Sequence, residues 1–181
     1  MQFSELVKIR QSVRAYKDKP VEVEKLNSVL ESFRLAPSAS NSQPWKVVVV
    51  DEPELKNKVA QATFSAAVPL NKFTLTAPVI LVVTVEKMRL ITQVSAWLKK
   101  REFSLIDIGI AAEHACLQAT ELGLGSCIIG WFDEAPIKEL LHIPKNKRIG
   151  LLITLGYPAD GYEIRQKKRK DFREIIHFNK Y

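Results

Sequence analysis

The sequence is poor in the residues that most readily announce a chemistry. It has two cysteines, Cys116 and Cys127, too few for a disulfide framework. The three histidines, His114, His142 and His177, show no metal-ligand spacing with cysteine or with each other, which argues against a zinc site. No apolar run is long enough to cross a bilayer; the longest lies around Ala77–Val85. The opening MQFSELVKIR lacks the apolar centre of a secretory signal, so the expected location is cytoplasmic, with no membrane partner. No Gly-x4-Gly-Lys-Ser/Thr phosphate loop is present. The Gly-x-Gly of GLGSCIIG ends a helix and begins a strand, the reverse of the dinucleotide fingerprint. Repeats and low-complexity linkers are also missing, and the expectation is one domain over residues 1–181 with a single core.

What is present alternates between two periods. EKLNSVLESFRL sets Leu26, Val29, Leu30 and Phe33 on one helical face, and Pro37 discourages helix beyond Ala36. KVVVV and PVILVVTV read as short buried strands, separated by a helix that Pro53 opens. SLIDIGIAAEHACLQATELGLG is the strongest helix, with Ile106, Ile110, Ala115 and Leu117 near one face and Gly123 and Gly125 at its end. SCIIG and IGLLITLGYP give two further strands around a short helix in EAPIKELLHIP. Strands alternating with helices imply a layered α/β or α+β domain, with the order of strands left open.

Charge is distributed unevenly. The net charge is +7, yet residues 1–20 hold five basic against two acidic residues, and residues 165–181 hold seven against two. Residues 21–164 are therefore close to neutral. Three explanations stand side by side: solvated tails, convergence of both ends on one anion such as a phosphate, and contact with nucleic acid. In RQSVRAY, Arg10 and Arg14 flank Ser12, a spacing that can turn two guanidinium forks and a short hydroxyl toward one concavity. KKRK, Lys167–Lys170, could close over the same anion. APSASNSQPW places short donors and acceptors between Pro37 and Pro44, suited to recognising hydroxyls and ring carbonyls, while Trp45 suits the core. Gly130, after an apolar strand, leaves a backbone that a ligand can approach closely.

Taken together, RQSVRAY, LAPSASNSQPW, IDIGIAAEHACLQATELGLGSCIIGWFD, LLITLGYP and KKRK…EIIHFNKY resemble the FMN-dependent nitroreductase family, in the family's order. The resemblance implies an α+β fold with a central mixed sheet flanked by helices, in an intertwined homodimer with FMN at the subunit interface. It implies that Arg10, Ser12 and Arg14 contact the FMN phosphate and pyrimidine end, Gln11 mainly through its backbone, and that Lys167 and Arg169 bind phosphate. Pro37, Ser38, Ala39 and Asn41 match a loop that reaches the flavin from the partner subunit. Ile128, Ile129, Gly130 and Trp131 match the segment whose backbone N–H bonds flavin N5, and Asn71 falls near a position that often helps bind FMN. Many members carry a second serine where this chain has Ala39, and some an acidic residue at Gly130. Segment 86–104, which shapes the substrate pocket in the family, is uninformative here. The implied activity is hydride transfer from NADH or NADPH through FMN to an electron-poor small molecule, a nitroaromatic or quinone, with no protein nucleophile or general base. Dehalogenation and flavin breakdown on the same scaffold, an FMN-binding protein with little turnover, and a nucleic-acid-binding protein are the rivals; no recognisable nucleic-acid motif is present.

Overall fold

The computed structural model describes residues 1–89, Thr92, Leu98 and 101–181. Six helices and four strands follow in the order α1 (Phe3–Ile9), α2 (Val23–Arg34), β1 (Trp45–Val50), α3 (Pro53–Gln61), β2 (Val79–Val85), α4 (Phe103–Glu121), β3 (Gly125–Ile129), α5 (Glu134–Leu140), β4 (Arg148–Gly156) and α6 (Phe172–Ile175), among the described residues. Short 3₁₀ turns occupy Ala39–Asn41 and Lys72–Thr76.

The sheet runs β1-β2-β4-β3 with all three pairings antiparallel. Its mixed character is confined to one parallel bridge, Ser12 with Ser126, outside the named strands. β2 is covered on both faces, which is why its sequence is an unbroken apolar run rather than an alternation. Val79, Leu81 and Val83 pack with α2 and α4, while Ile80 and Val82 pack with α3 and the region of α5. Helices on both faces of one sheet make three layers.

Local signals place the helix ends. Pro53 begins α3 in its first turn, and the Glu52 carboxylate accepts the Glu54 and Leu55 N–H groups at 3.0 and 2.6 Å. α4 ends in a Schellman motif: Leu124 N–H reaches Ala119 O at 2.8 Å and Gly123 N–H reaches Thr120 O at 3.0 Å. Gly123 takes φ +76°, which a side chain would resist. Trp45 packs against the core, edge-on to Phe33 at 5.7 Å.

The face expected for α4 is corrected. Of the expected residues Ala115 is buried, together with Asp107, Ile108, Ala111, Ala112, Cys116 and Ala119, while Ile106 and Ile110 are 54% and 37% exposed. The helix is apolar nearly all round, so periodicity alone does not choose a side. Packing chooses the small residues, which let α4 approach the sheet and α2 closely.

Candidate functional site

The two basic ends meet. After α1 the chain runs extended along β3: Val13 N–H donates to Ser126 O at 2.9 Å, and Ser12 bridges Ser126. Gly125 makes this approach possible, because a Cβ there would lie 2.7 Å from Val13 Cγ2. The chain beyond β4 returns to the same place. The Gln11 side chain acts as a clasp, donating to Glu163 O at 3.1 Å and accepting the Arg165 N–H at 3.1 Å. The Arg165 guanidinium donates to Ser12 O at 2.5 Å, and the Lys167 ammonium donates to Arg10 O. Tyr162 Oη accepts the Arg14 N–H at 3.0 Å.

These tethers enclose a cavity of about 320 Å³ whose cations are Arg10, Arg14, Arg165, Lys167, Lys168 and Arg169, with Gln11, Ser12 and Gln166 beside them. No carboxylate lines it. Glu113 of α4 steadies Arg10 from the side at 2.7 Å. Arg10 Nε is nevertheless buried without a hydrogen-bond partner among the described residues, and Arg14 has no ion pair among them. Burial, together with the Arg169 and Arg10 charges, holds the Lys167 ammonium below its usual pKa. An anion relieves the crowding of like charge and pairs with Arg14, so the donor set fits a phosphate monoester.

The loop at Pro37, Ser38, Ala39 and Asn41 is built differently. Ser40, Asn41 and Gln43 all adopt left-handed φ, at 50°, 52° and 47°. Such backbone costs of order 1 kcal/mol per residue and persists only where contacts over-determine it. Those contacts are the Ala39 N–H shared between both oxygens of Asp107 at 3.2 and 3.1 Å, Gln43 N–H on Ser38 Oγ at 2.8 Å, and Gln43 Nε2 on Asn41 Oδ1 at 3.0 Å. Asp107 is 4% exposed, and burial pushes its carboxyl above the usual range, against the pull of the Ala39 N–H.

Asp107 and Glu113 stand six residues apart on α4, roughly 9 Å along its axis and about a third of a turn around it. The loop and the basic cavity are thus anchored on different aspects of one helix, and the cavity takes no residue from the loop. The third expected group, Ile128, Ile129, Gly130 and Trp131, closes β3 and the turn after it. Ile129 is buried, Ile128 reaches the surface and Trp131 is 62% exposed. A Cβ on Gly130 would meet nothing within 4 Å, so that backbone is open to a planar molecule. Asn71 holds the turn by donating its side-chain amide to Trp131 O at 3.0 Å.

Asp107, Glu113, Arg165 and Tyr162 were not singled out from sequence. Asp107 had a signal, a lone carboxylate amid the apolar run SLIDIGIAA. Segment 86–104 lies largely outside the described residues. Both thiols are buried, and burial pushes each pKa up, which makes them poor nucleophiles. Among the described residues no cluster of three metal-ligating side chains occurs, and no helix is long and apolar enough to cross a membrane.

The Nitroreductase family model matches residues 7–157. A nitroreductase family protein of Clostridium difficile 630 superposes with a TM-score of 0.82 at 30% identity, over 100% of both chains. An FMN-dependent nitroreductase of another Clostridium difficile strain does so at 0.79 and 30% identity, over 97% of this chain and 98% of its own. An NADPH-dependent oxidoreductase of Staphylococcus haemolyticus is 26% identical, over 98% of this chain and 73% of its own.

Proposed function

The chain belongs to the nitroreductase family, and from that premise we propose that it is an FMN-dependent oxidoreductase acting between NADH or NADPH and an electron-poor small molecule, a nitroaromatic or quinone. The observation that carries the reading is the meeting of both basic ends around one cavity that holds six cations. In this reading Arg10, Arg14, Lys167 and Arg169 hold the FMN phosphate, and Ser12 adds a short neutral donor beside them. Ile128–Trp131 lie along the ring system, with a backbone N–H directed at its N5 and Asn71 steadying the turn. FMN supplies the two-electron chemistry, taking hydride from the nicotinamide and passing the electrons on. The protein's share is to bind, orient and set the local charge, and no side chain acts as nucleophile or base.

The reading includes a homodimer in which Pro37, Ser38, Ala39 and Asn41 reach the cofactor of the other copy. Two features support it. The loop is absent from its own chain's basic cavity. In addition, Phe3, Val7, Ile106 and Ile110 on α1 and α4, with Phe172, Ile175 and Phe178 in the tail, are exposed on a single chain. An apolar set of this extent suits burial against a second copy. A cytoplasmic location, within reach of NADH and NADPH, belongs to the same reading. The cations gather around one small, solvent-open cavity instead of forming a stripe, which favours a small anion over nucleic acid.

The test is the visible spectrum of the purified protein before and after anaerobic NADH or NADPH. Oxidised-flavin bands that bleach on addition are expected. A colourless protein that FMN cannot reconstitute overturns the proposal.

A further inference from the structure

A second cavity, of about 630 Å³, lies between the start of α2, α3 and the approach to β2, and shares no residue with the basic cavity. Lys56 of α3 lines it and is only 6% exposed. Its ammonium donates to Leu75 O at 2.7 Å and to Asn57 Oδ1 at 2.6 Å, both neutral acceptors. An ammonium has three N–H donors, so one remains. No carboxylate lies within 4 Å of Lys56 among the described residues. Buried charges are as a rule paired, because an unpaired one costs far more than a hydrogen bond returns.

The walls state what would pair with it. Val21, Leu26, Leu75, Pro78 and Val79 give the cavity an apolar lining, and its size is that of a small-molecule site. At the rim Lys17 is paired with Asp160 and Lys19 with Glu22, so neither is a free cation. Asp18 and Asp51, also lining, are exposed and repel added negative charge. A dianion such as a phosphate is therefore disfavoured, and a single negative charge with an apolar body is favoured. We infer that this cavity is a second ligand site that takes a small amphipathic monocarboxylate, its carboxylate on the Lys56 ammonium and its hydrocarbon against the Val21, Leu26 and Val79 wall. Burial lowers the Lys56 pKa in the ligand-free chain, as expected of an ammonium awaiting a counter-ion.

The probe is octanoate, with octanamide as its uncharged counterpart, titrated calorimetrically into the full chain with and without FMN. Octanoate is expected to bind once per chain, at least about ten-fold more tightly than octanamide, as the loss of one charge-assisted hydrogen bond implies. Lys56→Met is expected to weaken octanoate by roughly ten- to a hundred-fold and to leave octanamide and FMN binding unchanged. Val21→Trp, which fills the apolar end, is expected to abolish both ligands and decides the matter if Lys56→Met fails to fold. Octanoate that binds Lys56→Met or Val21→Trp as well as it binds the parent, that FMN displaces, or that gives no heat at about 5 mM overturns the inference. Because FMN binding is read separately, failure here leaves the flavin proposal standing, and the reverse also holds.

Discussion

In the basic cavity, charged side chains are tethered through backbone carbonyls, Lys167 on Arg10 O and Arg165 on Ser12 O. In the Pro37–Gln43 loop it is the backbone that is tethered, through the buried carboxylate of Asp107. The first arrangement crowds like charges and is completed only by an anion. The second satisfies itself, holding three left-handed residues with bonds inside the chain. On the proposed function the cavity would gain stability from its ligand, while the loop holds its shape through its own bonds. Each region has substitutions that should disturb it and leave the other alone.

The largest effect is expected from Arg10→Ala with Arg169→Ala. Two lost charge-assisted bonds should weaken FMN by at least about a hundred-fold in a fluorescence titration. The ligand-free melting temperature should hardly move, since Glu113, the partner left behind, is half-exposed. Unchanged FMN retention would remove the phosphate assignment. Next comes Gly125→Ala, whose new methyl must displace Val13 and with it the Arg10–Arg14 segment. A loss of about 1–3 kcal/mol in chemical denaturation is expected, with partial rescue by adding Val13→Gly, which removes every Val13 side-chain atom the new methyl meets. No rescue would mean that the close approach does not position the segment.

The loop is addressed by a pair of variants. Asp107→Ala strands the Ala39 N–H and should cost about 1–2 kcal/mol, with faster hydrogen exchange at 39–43 and none of the change at 10–14. Asp107→Asn keeps an acceptor and drops the charge. The native carboxyl is raised, so its contribution is present below the unfolded-state pKa and lost as pH rises through the native value. Asp107→Asn should therefore match or exceed the parent's melting temperature at neutral pH, with the advantage shrinking in acid. A deficit at neutral pH that disappears in acid would show that the charge itself holds the loop. The smallest effect is Ser40→Gly, which accommodates φ 50° at the expense of chain entropy and should change stability by less than about 1 kcal/mol.

Sequence reading reached the basic cavity because charge adds along a chain regardless of topology, so two cationic ends could be seen before either was placed. It also reached the strands, since β2 is buried on both faces and carries no polar alternation to mislead. It failed where neighbours decide. The buried side of α4 depends on which residues let α2 and the sheet come close, and Ile106 and Ile110 look like core until those partners are in position. The roles of Asp107, a lone carboxylate in an apolar run, and of Gln11 were missed for a related reason: each acts on a backbone group distant in sequence, Ala39 in one case and Glu163 and Arg165 in the other. Strand order was left open, and only pairing across β4 resolves it.

The Gln11 clasp bears on how the protein is made. One wall of the basic cavity, Arg10–Arg14, precedes every strand in the chain, and the other, Arg165–Arg169, follows them all. The cavity is therefore complete only when the tail docks across the sheet, since β4 ends at Gly156 and the tail cations begin at Arg165. A chain terminated between those points would keep its core and lack a grip on the anion. On the proposed function, retention of the ligand would report a docked tail as well as a folded sheet.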